Sequence, residues 1–339
     1  MISYGKHTID QSDIKAVIDV LKSDFLTQGP VVESFESELI NSFGPGYCTA
    51  VSNGTAALHI VGMALGWGSE DIVLTSPLTF LATSNAVLYC GATPDFCDIN
   101  FKDYTIDPIK LEEKIISYKK RGKKVRAIIG VDFAGHPCNW KDLRKIADTY
   151  DINLVNDNCH AIGASYKKKL NYALKYADAV THSYHPVKPF TTGEGGAILT
   201  KNKKLDSKIK ELRSHGVVRD QNKMKMEGSW FYEMNSLGYN YRLTDIQAAL
   251  GLSQLRRLDK FILKRRKIAS FYDKSLKGEE FFMIPEASRD VIHSYHLYPL
   301  LIDFSKYSIN KIEMFNQMRK KGINLQVHYI PLHLQPYYK

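Results

Sequence analysis

No run of consecutive apolar residues approaches the roughly eighteen that a helix needs to cross a bilayer, so no membrane span is expected. The N-terminus, MISYGKHTIDQSD, turns polar at once and lacks the apolar centre of a signal peptide, which makes the cytoplasm the expected location. Cysteine is sparse and scattered: Cys48, Cys90, Cys97, Cys138 and Cys159 are odd in number and include no C-x-x-C. That excludes a disulfide framework and a zinc site, and fits a reducing compartment. There is no Walker A sequence, hence no nucleotide P-loop. The basic run from Lys119 to Arg126 has no helix-turn-helix or RNA-binding motif beside it. The net charge of +10 therefore suits an acidic ligand and is not read as nucleic-acid binding. Internal repeats and low-complexity tracts are also missing.

The chain has 339 residues, 44% hydrophobic and 24% charged, the balance of a soluble globular protein of about two domains. Apolar residues recur at helical spacing in Asp10–Ser23 and Val31–Phe43. A cadence of strand, turn and helix follows. Strand-like runs are Tyr47–Ser52, Asp71–Ser76, Thr93–Asp98, Val125–Phe133 and Ile152–Asp157. Helical patterns fill the intervals at Thr55–Gly66, Thr79–Cys90, Pro108–Tyr118 and Trp140–Tyr150. Such alternation predicts an α/β fold, a mostly parallel sheet covered by helices, with ligands at the carboxyl ends of its strands. After Lys203–His215, a charged helix, residues 216–238 read as irregular. A capping box at Thr244–Gln247 opens one long helix to about Phe271. The rest reads strand–helix–strand (His293–Ile302, Lys311–Lys321, Ile323–Val327), a small α+β domain. The expected division is 1–242 and 243–339.

The stretch Thr181–Thr200, THSYHPVKPFTTGEGGAILT, holds Lys188 between Pro186 and Pro189, with apolar β-rich runs on either side. A desolvated lysine on so rigid a corner can act as nucleophile and proton carrier, including as covalent anchor of an aldehyde cofactor. Alone, it is more often a surface lysine in a proline-rich loop. Ser52-Asn53-Gly54-Thr55 joins a strand to a helix, and a helix N-terminus with unpaired N–H groups binds phosphate; alone, it is more often an ordinary cap. Asp157 ends a strand that reads as buried, where a carboxylate needs a partner such as a pyridinium nitrogen, or serves as a cap to the next helix. His160 follows, able to bond a ring substituent or to be structural. Phe80, after another strand, is either a face for a planar cofactor or core. Ser183 offers a second phosphate hydroxyl. Phosphate cradle, pyridinium acid, stacking aromatic and lysine are together what pyridoxal 5'-phosphate requires.

With these residues in view, the sequence resembles the sugar aminotransferases of the DegT/DnrJ/EryC1/StrS family, a branch of fold-type I pyridoxal-phosphate enzymes. The likeness rests on FLTQGP (25–30), SNGTAAL (52–58), NDNCHAIGA (156–164), SYHPVKPFTTGEGGA (183–197), LGYNYRLTDIQAALGLSQL (237–255) and QVHYIPLHLQPYY (326–338). It implies that Lys188 anchors the cofactor, Asp157 pairs with its ring nitrogen and His160 contacts its ring hydroxyl. Phe80 stacks on the ring, and Gly54, Thr55 and Ser183 hold the phosphate. Asn240 reaches a neighbouring subunit's phosphate, which implies a homodimer with shared sites. Tyr4, Asp24, Phe25, Leu26, Thr27, His328, Tyr329 and Ile330 match segments that contact a nucleotide sugar. Within the family, HPVKP with TTGEGG, GSWFYEM (228–234) and HYIPLHLQPYY resemble the branch serving pseudaminic acid biosynthesis. That branch moves an amino group from L-glutamate to C4 of a UDP-linked 4-keto-6-deoxy-N-acetyl-L-hexosamine. Members usually continue past PYY, whereas this chain stops at Lys339, so a shortened small domain is expected.

Other readings stay open. A D-configured UDP-4-ketosugar would be aminated by the same constellation. A sugar 3-dehydratase on this fold has histidine in place of the lysine; Lys188 argues against it, although His182 and His185 are near. A truncated non-catalytic protein or a sensor is the reading from outside enzymology.

Overall fold

The computed structural model describes residues 1–339. Helix α1 (Gln11–Leu21) opens on a capping box between Asp10 and Asp13, and α2 (Pro30–Phe43) opens on proline, whose fixed φ suits a first turn. The alternation then runs β1 (Tyr47–Val51), α3 (Gly54–Ala64), β2 (Ile72–Thr75), α4 (Leu81–Tyr89), β3 (Thr93–Phe96), α5 (Pro108–Lys120), β4 (Val125–Val131), α6 (Trp140–Tyr150) and β5 (Asn153–Asp157). A short strand β6 (Ser165–Tyr166) and helix α7 (Tyr172–Tyr176) lead to β7 (Ala179–Ser183), which returns as β8 (Gly196–Thr200).

These strands form a seven-stranded sheet in the order β1-β8-β7-β5-β4-β2-β3. Neighbours from β3 to β7 pair in parallel, while β8 runs antiparallel to both β1 and β7. The carboxyl ends of β1, β2, β4, β5 and β7 therefore share one edge. The central parallel strands β2, β4, β5 and β7 are buried almost throughout because both faces are covered. One face packs Leu39, Phe35, Trp140 and Leu143; the other packs Ile60, Val61, Val87 and Ile209. This is the expected fold-type I architecture.

Departures fall in the second half. The long helix predicted from Thr244 is two, α10 (Asp245–Leu255) and α11 (Leu258–Leu276), if α8 (Lys203–Arg213) and the small α9 (Gln221–Glu227) are counted first. The turn between them lies at Arg256 and Arg257, where the Arg257 guanidinium pairs with Asp10 and Asp13 of the α1 capping box. Leu243, Ala248, Leu255, Leu258 and Ile262 complete the main core, so the division expected at residue 243 runs through packed side chains. Residues 216–238 are less irregular than expected: β9 (Val217–Val218) and β10 (Glu233–Met234) pair around α9.

The strand–helix–strand reading of the C-terminal part holds for its helix, α12 (Lys311–Lys320), and for the last two residues of its first strand. Strand β11 (Phe282–Met283) pairs with β13 (Leu301–Ile302), and β12 (Val291–Ile292) pairs back to β6. Within His293–Ile302 the backbone bonds instead to a loop: Ser294 N–H to Gly135 O and Leu297 N–H to Ala134 O. Residues 323–327 contribute a single bridge, Ile323 to Ile2. Their alternating pattern reflects extended chain laid across a neighbouring surface, which has the period of a strand without its partners. No helix is long and apolar enough to cross a membrane.

Candidate active site

The loop from β7 to β8 is built on buried aromatics. Tyr184 and Phe190 stack at 4.7 Å and meet Phe35 of α2 edge-on. Backbone and hydroxyl bonds close the loop, Tyr184 N–H to Gly195 O (2.8 Å) and Thr191 Oγ1 to Tyr184 O (2.8 Å). Between them, residues 185–189 form a turn with Lys188 N–H on His185 O (2.9 Å), and Lys188 stands over a cleft of about 880 Å³. Burial lowers the Lys188 amine below its ordinary value, with Cys159 and Asp157 opposing. The lysine is thus partly buried and set in the cleft, not on an open surface.

The sheet edge supplies the rest. Asp157, at the end of β5, is 5% exposed and accepts from Thr83 Oγ1 (2.8 Å) and from Cys159 N–H (3.2 Å). Since Thr83 spends its hydrogen on Asp157, Thr79 must donate to Thr83 (2.8 Å). Asp157 forms no salt bridge, and the Lys188 amine acts on it from across the cleft, so its carboxylate is open to a cationic ligand. At the N-terminus of α3, Asn53 caps Ala56 N–H, and Gly54 and Thr55 N–H have no acceptor in the chain. A Cβ on Gly54 would lie 2.8 Å from Ser183 Cβ, and one on Gly196 would lie 2.6 Å from the Asn53 carbonyl. Close approach of β7, β8 and α3 is what brings the Ser183 hydroxyl to those free N–H groups. This cradle fits a phosphate. Phe80 is 53% exposed with its ring in the cleft, so it is a face and not core. Amine, carboxylate, anion cradle and aromatic face in one cleft fit pyridoxal phosphate.

Residues 7–339 match the DegT/DnrJ/EryC1/StrS aminotransferase family. The chain belongs to that family. The UDP-4-amino-4,6-dideoxy-N-acetyl-beta-L-altrosamine transaminase of Campylobacter jejuni subsp. jejuni serotype O:23/36 (strain 81-176) is 42% identical over 339 residues, covering 100% of this chain and 86% of that one. Helicobacter pylori PseC, an aminotransferase involved in the biosynthesis of pseudoaminic acid, has a similar structure: TM-score 0.89 and 32% identity over 99% of this chain and 86% of that one. Spr1654 of Streptococcus pneumoniae, described as a sugar aminotransferase and solved in its PMP form, gives a TM-score of 0.90 at 28% identity over 100% and 88% of the two chains.

In this aminotransferase the cleft gathers Tyr4, Gly54, Thr55, Phe80, Asp157, His160, Ser183, Lys188, His328 and Tyr329. It does not gather Asp24, Phe25, Leu26 and Thr27, exposed on the loop before α2, nor Ile330, nor Asn240, which is exposed and bridged to Ser214. His160 is buried with both ring nitrogens engaged: Nδ1 accepts from Ala134 N–H (3.3 Å) and Nε2 lies 3.2 Å from the Tyr329 hydroxyl. Burial, then Lys188 and His328, hold it well below its ordinary value. His182, one of the two histidines that kept a dehydratase open, is buried against Phe43 with Nδ1 near the Tyr184 hydroxyl (3.2 Å), and burial pushes it down to about 3, whereas His185 lies at the cleft. His182 is a core residue.

Sequence reasoning missed several groups. Thr79 and Thr83 orient Asp157; their i, i+4 spacing was visible, their target was not. His296 enters the cleft 4.5 Å from His160, with Nδ1 buried and unpaired. Asp132 lies fully buried behind Asp157 and accepts from Trp140, Asn156, Asn158, Tyr172 and the Cys138 N–H. Burial lifts it to about 6 against those donors. Cys159 touches the cleft, but burial raises its thiol well above the ordinary value, which makes it inert.

Proposed function

We propose that this chain is a pyridoxal-phosphate-dependent sugar aminotransferase that moves the amino group of L-glutamate to C4 of a UDP-linked 4-keto-6-deoxy-N-acetyl-L-hexosamine. The observation that carries the reading is the Lys188 amine in one cleft with the unpaired carboxylate of Asp157 and the free N–H groups of Gly54 and Thr55. Bound there, the cofactor supplies a protonated ring that takes up the electron pair left when a C–H bond beside the amine breaks. Lys188 would anchor it; its amine, freed when the donor binds, would take the proton from the donor's α carbon and, in the half-reaction with the sugar, would supply a proton to C4. A lowered amine suits that base role near neutral pH. Asp157 keeps the ring nitrogen protonated, its own orientation held by Thr83. Phe80 covers one ring face, and Gly54, Thr55 and Ser183 receive the phosphate.

The nucleotide-sugar substrate is supported by the 42% identical altrosamine transaminase. Tyr4, His328 and Tyr329 line the same cleft and are proposed sugar contacts. Asn240 and the Asp24–Thr27 loop, with Ile330, stand outside it, and we assign Asn240 and the loop to the cleft of a second subunit in a homodimer. The test is purified protein with cofactor. A visible chromophore, its fixation by borohydride and its shift on adding glutamate are expected, with Lys188→Ala folded but without turnover. Products from glutamate and each UDP-ketosugar, identified by NMR, decide the sugar; amination of only the D-configured ketosugar, or of none, overturns the assignment.

A further inference from the structure

We propose that Asp132 is a positioning residue for the reaction: its carboxylate holds the end of β5 from behind, through Asn156 and Asn158, so that Asp157 between them faces the cleft. This rests on the reading above, in which Asp157 meets the cofactor's ring nitrogen. Side chains alternate along a strand, so the neighbours of Asp157 point away from the face it uses. Asn156 and Asn158 both turn their amides to Asp132 Oδ2, at 3.1 and 2.8 Å. One carboxylate oxygen thereby bridges the residues on either side of Asp157. The backbone is tied at the same place. The Asp132 N–H donates to Asp157 O (3.1 Å), and the Asn158 N–H donates to Thr181 O (3.0 Å).

Segments outside the sheet anchor Asp132 in turn. Its Oδ1 accepts from the Cys138 N–H (2.7 Å) and from the Trp140 indole (2.9 Å) at the start of α6. Its Oδ2 also accepts from the Tyr172 hydroxyl of α7 (2.7 Å), which itself accepts from Asn158 (2.7 Å). Asp132 is fully buried, and these donors hold its charge without a cation. A buried charge of this kind costs stability that a well-packed apolar residue would not. What it supplies is one fixed direction for the two amides. Cys138 N–H and the indole can only donate, so a proton on the carboxyl must sit on Oδ2. There it displaces Asn156, Asn158 or Tyr172, and the strand end loosens. Burial raises the carboxyl to about 6 against its donors. The titratable groups against it are Tyr172 of α7 and Cys138, on which Asp103 also acts; β5 turns Asp157 to the other face. Burial, then the Asp132 charge, holds Tyr172 and Cys138 well above their ordinary values, so Asp132 is the member of this network that changes charge near pH 6.

Trp140 reports on Asp132 directly, because its indole is bonded to the carboxylate. Tyr172→Phe removes one donor to the charged form. In the full chain with isotope-labelled tryptophan, it is expected to raise the pH midpoint of the Trp140 indole N–H signal, read by NMR, by about one unit. The midpoint at which acid slows the glutamate half-reaction, per bound cofactor, rises with it, while KM for the ketosugar stays as in wild type. A Trp140 midpoint that moves while the rate midpoint stays makes Asp132 merely structural and overturns the inference, as does a Trp140 signal that never titrates. Asp132→Asn is expected to take up pyridoxal 5'-phosphate, to lose both midpoints and to turn over about tenfold more slowly or worse at pH 8. A wild-type rate in that variant overturns the inference too. If Asp132→Asn does not fold, the paired midpoints of Tyr172→Phe decide alone. Wild-type protein with no borohydride-fixed chromophore sinks the cofactor reading instead, before any variant is made.

Discussion

At the scale of single residues, the cleft concentrates groups whose solvation has been given up for a ligand. Asp157 shows this most directly: it is buried, held by a hydroxyl and one backbone N–H, and forms no salt bridge. We expect Asp157→Asn to keep the fold within about 1 kcal/mol, because the amide retains most of the bonding and no buried charge is left behind. Turnover should fall by ~10²-fold or more, since a neutral amide cannot hold a ring nitrogen protonated. Urea melts and steady-state rates on the same preparation check both halves. A variant that loses stability and activity in proportion would make Asp157 a structural residue. Its place at a strand end, like that of Lys188 on a proline-flanked corner, was legible in the sequence, but residue type alone left each open to a structural reading. Thr83, Asp132 and His296 were not legible, because what they do depends on which segments fold against them.

At the scale of elements, α2 illustrates how a helix start is completed from afar. Its cap is Gly29, which has no side chain to offer, and the buried Asp245 at the first turn of α10 accepts from Gly29, Val31 and Val32 N–H at 2.8, 2.9 and 3.3 Å. The same carboxylate lies favourably at the positive end of the α2 dipole. Asp245→Ala is expected to destabilise the protein by about 2–4 kcal/mol, leaving buried N–H groups unpaired. A denaturation midpoint unchanged from wild type would refute it. The α10–α11 break is the counterpart. Neither glycine nor proline marks residues 256–257, so continuing the helix was the only local reading. Ion pairs from Arg257 to the α1 cap, more than 240 positions away, decide otherwise.

At the scale of the whole molecule, buried histidines make stability depend on pH. His160, His182, His293 and His296 all sit well below their ordinary value because burial disfavours the charged ring. Below about pH 6.5 the unfolded chain binds protons that the native chain refuses, so stability falls as pH falls, until the folded values are reached, near 3 for His182. Each such group contributes about 1.4 kcal/mol per pH unit in that window. Asp132 and Glu36, raised by burial, act in the opposite direction, but the histidines outnumber them. Thermal melts should drop steadily from pH 7 to pH 5. A flat or rising profile would refute this.

The sequence by itself determined the sheet, its covering helices and the positions of the lysine, the carboxylate and the glycine turn before α3, since periodicity and strand-end chemistry are local. Tertiary structure alone decided where the second half of the chain lies and which groups surround the buried Asp157 and His160. Those depend on hydrogen bonds and ion pairs between segments far apart in the chain, and no local pattern encodes a partner.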